Sequence, residues 1–233
     1  MGLYYFDYRS FIIMIPAIII SMYAQIKVSS TFNKYSRIMT ARHMTGADAA
    51  QRVMQYGGAF GVQIQHIGGS MTDNFNPSTG VISLSDPVYA SSSISAVGVA
   101  AHEAGHAVQH AQGYLPNKIR ASLVPVTQFG SRLSMPLIFI GLLLPVQYDF
   151  FVTLGIALYS LCVLLQLATL PVEFNASARA LRALDETGIL DQQELLGAKK
   201  VLRAAAMTYV AATFTALLSL LRLLLIFGNR RRD

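Results

Sequence analysis

Four runs without a charged residue divide this chain, at residues 10–26, 133–148, 150–172 and 204–221. A bilayer-crossing helix needs about 20 apolar residues, and 150–172 meets that length outright. The other three runs sit near the lower limit, with Arg9, Lys27, Arg132 and Arg222 placed to snorkel at their ends. Residues 133–145 also suit a buried core helix. Between the first two runs the periodicity changes. Residues 36–56 put Met39, Met44, Ala47, Ala50, Val53 and Met54 on one helical face, ended by Gly57-Gly58. Residues 61–67 alternate as a half-buried strand does, 73–80 are dense in turn formers, and 81–85 read as a second strand. Ser91-Ser92-Ser93 then offers N-cap hydroxyls to a proline-free helix from 94 to 112. Its apolar positions Ile94, Val97, Ala101, Ala104 and Val108 recur at helical spacing, and Gly113 stops it. Residues 176–203 mix acids and bases, which predicts two short solvated helices broken near Gly188.

Composition places this pattern in a membrane. Only 13% of the residues are charged and 53% are hydrophobic, a balance unlike that of soluble domains. Pro16 interrupts the first run and no small-residue cleavage site follows it, so it reads as an uncleaved anchor. The single cysteine, Cys162, falls inside an apolar run and excludes both a disulfide framework and a thiolate metal site. Basic residues Lys27, Lys34, Arg37, Arg42 and Arg52 follow the first run, and Lys199, Lys200 and Arg203 precede the last. The positive-inside rule puts these segments in the cytoplasm, although Arg230-Arg231-Arg232 would then lie outside. The net charge of +6 fits anionic lipid headgroups better than nucleic acid.

Candidate chemistry sits in the 94–112 helix. His102-Glu103-Ala104-Gly105-His106 spells HExxH, in which imidazoles four residues apart share a helix face and can meet one metal ion. Glu103 falls beside them, where its carboxylate can take a proton from an attacking water. Gly98 and Gly105 each cost about 1 kcal/mol of helix propensity against alanine, so they predict close approach on those faces. Two ligands leave a catalytic zinc site one short. His110 continues the series, but each four-residue step climbs about 6 Å, too far for one ion. Glu186 and Glu194 lie in the charged segment. Glu173 follows an apolar run directly and is either an interfacial acid or the missing ligand. Asn175 is either a hydrogen-bonding support or a polar surface residue. Arg179 and Arg182 read as surface charges, His43 and His66 as solvated side chains. The strands before the helix either bind peptide by strand addition or form a structural hairpin.

The His102–Ala107 run (His-Glu-Ala-Gly-His-Ala) and the Leu170–Ser177 run (Leu-Pro-Val-Glu-Phe-Asn-Ala-Ser) resemble those of the YugP-like neutral zinc metallopeptidases of bacterial membranes. Leu84-Ser85-Asp86-Pro87-Val88-Tyr89 and residues 205–212 share in the likeness, which covers nearly the whole chain. More distantly, Glu173-Phe174-Asn175-Ala176-Ser177 is similar to the Glu-x-x-Ala-Asp element of the HtpX-like membrane zinc proteases. That likeness implies that Glu173 is the third zinc ligand. It also implies that Ser177 stands where an aspartate orients the first zinc histidine.

The expected protein is a mainly α, multi-pass integral membrane protein with a small sheet ahead of a zincin-like HExxH helix. Its expected parts are an anchor at 1–28, a zincin-like domain at 29–132 and a transmembrane hairpin at 133–172. A third-ligand helix with solvated helices at 173–203 and a C-terminal membrane helix with a basic tail at 204–233 complete it. The expected function is zinc-dependent endopeptidase activity on peptides or proteins, with the metal site on the cytoplasmic side of the cell membrane. Zn2+ would be held by His102, His106 and Glu173, and Glu103 would be the base. The competing expectation is a non-catalytic membrane assembly factor whose zinc is structural, completed by a fourth protein ligand such as His110 or His66. A transporter is a third, poorly supported by spans whose polar residues are as isolated as Gln166.

Overall fold

Apolar length carries through to the architecture. A computed structural model describes residues 12–230; the start of the first apolar run with Arg9, and Arg231-Arg232, lie outside the described residues. The helices are α1 (Ile15–Tyr35), α2 (Gly46–Gly57), α3 (Asp86–Tyr89), α4 (Ile94–Ala111), α5 (Leu115–Leu143), α6 (Phe150–Glu186) and α7 (Gln192–Arg230). Strands β1 (Gln63–Ile67), β2 (Asn74–Asn76) and β3 (Val81–Ser85) lie between α2 and α3. The chain is mainly helical. Among the described residues, α1, α5, α6 and the Gln192–Phe227 part of α7 are long and apolar enough to cross a membrane.

Two compact units can be distinguished. One contains, among the described residues, 12–23, 119–170 and 209–230. In it α5 and α6 approach closely through small residues. A Cβ at Gly155 would lie 2.7 Å from the Ser134 carbonyl oxygen, and one at Gly141 would lie 2.5 Å from Val152. The 133–148 run, expected as a separate element, is instead the second half of the longer α5, which keeps Pro125 and Pro136 inside it. Proline is tolerated in such a helix because neighbouring helices and local adjustment compensate for the lost backbone bond. The 3-10 segment Val146–Tyr148 links α5 to α6.

The other unit comprises residues 24–118 and 171–208. Its sheet has the order β1-β3-β2, with β1 parallel and β2 antiparallel to the central β3. Ile82 pairs with Ile64 on one side and Phe75 on the other, and Ile82 and Leu84 are wholly buried. Strand β2 comes from the stretch expected as turns. Its Asn-Phe-Asn sequence has weak strand propensity, and pairing with β3 overrides it.

The helix expected over 36–56 begins only at Gly46, where Thr45 and Asp48 form a reciprocal capping box. The preceding residues spend their backbone groups elsewhere: Thr40 N donates to Ser92 O and Ile94 N to Ile38 O, both at 2.9 Å. His43 therefore lies in this loop, at φ 50°, and not on a helix. Residues 176–203 do break at Gly188 (φ 62°), but the flanking helices are continuous with the apolar runs, not short. Pro171 sits inside α6 without ending it, because Val172, Ala176 and Ala180 just beyond it are completely buried. Glu194, expected to be solvated, is buried and accepts from the backbone N–H groups of Ala41 and Asp191.

Candidate metal centre

Helix α4 starts on Ser93, whose hydroxyl accepts from Ala96 N. Its Ala100, Ala101, Ala104 and Ala107 are all wholly buried. The two glycines behave as their propensity cost implied. A Cβ at Gly98 would touch Ala198, and one at Gly105 would lie 2.6 Å from the Ala176 carbonyl oxygen. At Gly105, α4 and α6 therefore meet backbone against backbone. That approach sets Glu173 and Ser177 of α6 opposite His102 and His106.

Glu173 Oε2 lies 3.2 Å from His102 Nε2 and 3.4 Å from His106 Nε2. The three ligand-type atoms all fall within 4.8 Å of one another. Glu173 is 2% exposed and the imidazoles 12%, so the group is sheltered yet keeps an opening on the histidine side. Zinc bonds of about 2.0–2.1 Å in tetrahedral geometry separate neighbouring ligand atoms by about 3.3 Å. The observed carboxylate–imidazole separations match that spacing, and nitrogen with oxygen donors suits zinc.

Each imidazole is held from behind through its other nitrogen. Ser177 Oγ lies 3.1 Å from His102 Nδ1, and Gln109 Oε1 lies 3.1 Å from His106 Nδ1. Gln109 is wholly buried and donates from Nε2 to the Val172 carbonyl at 2.8 Å and to Asn175 Oδ1 at 3.0 Å. Burial opposes a charge on His106. The hydrogen bond to Glu173 and the negative charges of Glu103 and Glu173 outweigh it, and its pKa is held above the ordinary histidine value.

Sequence reasoning brought forward His102, His106, Glu173, Ser177 and Asn175, and the fold gathers all of them. It missed Gln109. The available signal was a glutamine three residues after His106, and so on the same side of the helix, which has to find a partner when buried. Arg179, expected as a plain surface charge, donates to Asn175 Oδ1 at 2.7 Å, bonds Gln112, and stacks over the Tyr114 ring. The histidines considered as fourth ligands are engaged elsewhere. His110 packs against Phe75, and His66 pairs with Asp86 at 2.7 Å. Glu186 accepts from Tyr56.

Residues 10–228 match the family described as "Putative neutral zinc metallopeptidase". The chain is 43% identical over 219 residues to "Putative membrane protease YugP" of Bacillus subtilis (strain 168), covering 94% of this chain and 96% of that protein. No solved structure matches it. Its apolar helices, its buried His102–His106–Glu173 group and its match along nearly the whole length agree: the chain belongs to this neutral zinc metallopeptidase family of membrane proteins, whose metal is zinc.

Proposed function

We propose that this protein is a membrane-embedded zinc endopeptidase in which His102, His106 and Glu173 hold the metal and Glu103 is the general base. The observation that carries the reading is the convergence of two Nε2 atoms and one carboxylate oxygen from two helices. Zinc bound in such a site polarises a peptide carbonyl and lowers the pKa of a water toward about 7. Glu103 takes the proton of the attacking water and hands it to the leaving amine, so its carboxylate is regenerated at the end of each turnover. Ser177 and Gln109 engage both Nδ1 atoms, so the Nε2 atoms are the ones turned toward the metal position. Peptide would enter as an added strand on β2, a sheet edge that packs on α4. The basic residues that follow the first apolar run and precede the last favour a multi-pass arrangement in the cell membrane with the site on the cytoplasmic side.

Stripping the purified protein with a chelator is expected to abolish cleavage of an unstructured protein substrate, and one equivalent of zinc should restore it. Activity that survives complete metal removal rejects the reading. Zinc affinity should fall as pH drops, because protons compete for the imidazoles. For His106, whose pKa is raised, that competition begins at a higher pH than for an ordinary histidine.

Helix spacing gives a third test. In Gly105→Ala the new methyl meets backbone at Ala176, which cannot rotate away, so α4 and α6 must separate. The carboxylate then withdraws from the imidazoles. Zinc affinity measured by competition with a chromophoric chelator should fall by at least the roughly 10-fold typical of a disturbed ligand support. An unchanged affinity would show that the close approach does not set the site.

A further inference from the structure

We infer that Gln109 is a positioning residue that fixes the tautomer and orientation of His106, and that the Val172 carbonyl, Asn175 and Arg179 dictate which way Gln109 points. The inference follows from which groups can only donate and which can only accept. An arginine side chain has donors alone. Arg179 Nε therefore donates to Asn175 Oδ1, so that oxygen, not the amide nitrogen, faces the Gln109 side. The Val172 carbonyl only accepts, and it lies 2.8 Å from the same end of Gln109. Two acceptors on one side leave Gln109 a single satisfied orientation, with Nε2 toward Val172 and Asn175 and Oε1 toward His106. An amide oxygen can only accept, so His106 carries a proton on Nδ1, and Nε2 is the atom that it turns to the metal position.

Gln109 is wholly buried, so a reversed amide would leave its donors facing the imidazole and its oxygen facing two other acceptors. Its partners belong to the turn of α6 that carries Glu173. The glutamine thus couples the orientation of His106 to the position of the acid. The first imidazole is served differently. The Ser177 hydroxyl can rotate to donate or accept, so it supports His102 without imposing a tautomer. Neither partner carries a charge, so the imidazoles gain less basicity than a carboxylate partner would supply.

This inference rests on His106 being a metal ligand, and not on the protein's being a peptidase. Its test uses the full-length protein in detergent, with zinc affinity and the 15N shifts of the His106 ring in the metal-free protein as readouts. Gln109→Leu, close in volume but without hydrogen-bonding groups, is expected to weaken zinc binding about 10- to 100-fold. It should also convert His106 from the Nδ1–H form to a tautomer mixture. Wild-type affinity together with an unchanged tautomer would overturn the assignment. Should Gln109→Leu lose its helical circular dichroism, the pair Asn175→Leu and Asn175→Asp decides. The leucine should weaken zinc binding and the aspartate, which keeps the acceptor, should restore it; equal affinities overturn the proposal. His106→Ala separates the two levels: if it binds zinc as tightly as wild type, the ligand assignment fails and this inference falls with it.

Discussion

Glu103→Gln protein is expected to keep its full zinc content while its kcat falls by about 10²- to 10⁴-fold, the range set by losing a positioned general base. Glutamine matches the shape of glutamate but cannot accept a proton at neutral pH. Glu103 is not among the three atoms that converge on the metal position, so removing its charge leaves His102, His106 and Glu173 in place. It is nonetheless close enough for its charge to act on His106, which puts it beside the reacting centre. The pattern to look for is unchanged metal stoichiometry, little change in KM and a collapsed kcat. Turnover near the wild-type rate would remove Glu103 from the chemistry. Loss of zinc would instead make it a ligand.

Glu173→Gln is expected to reduce zinc affinity by more than the roughly 10- to 100-fold typical of outer partners, because a direct ligand and the only buried negative charge of the group disappear together. The amide keeps one oxygen donor but no charge, so the metal would face two neutral imidazoles and a weak carbonyl. Equilibrium dialysis against buffered zinc, read beside the circular dichroism of the metal-free protein, separates loss of metal from loss of fold. Retention of zinc at wild-type affinity would leave the carboxylate as a mere hydrogen-bond partner of the histidines. The coordination assignment would then fail.

How much could be read in advance differs by element. The apolar runs announced the long helices, since bilayer thickness and helix rise tie span to sequence length. They misplaced the helix ends, because the charged stretches beyond them also hold residues such as Leu184 and Ala198, whose complete burial carries the same helices on past the apolar runs. The α2 start was obscured by apolar residues at 36–44 that continue a helical pattern. There the backbone bonds to Ser91–Ile94 favour a loop, and the Thr45 cap begins the helix. Strand β2 was hidden for a related reason, as its pairing partner decides its conformation more than its own residues do.

The sequence by itself determined the pairing of His102 with His106, the place of Glu103 beside them, and the need for close approach at Gly98 and Gly105. The first two follow from the fixed rise and turn of one helix, and the third from glycine's helix-propensity cost, all of which act locally without help. Tertiary structure decided that Glu173, 71 positions from His102, closes the group, and that Ser177 and Gln109 stand behind the two imidazoles. Local patterns left that acid ambiguous, and only likeness to known proteases singled it out beforehand. The physical reason is that such contacts depend on how two helices meet. Here that depends on one missing side chain, at Gly105, which lets the backbone of α4 rest on Ala176.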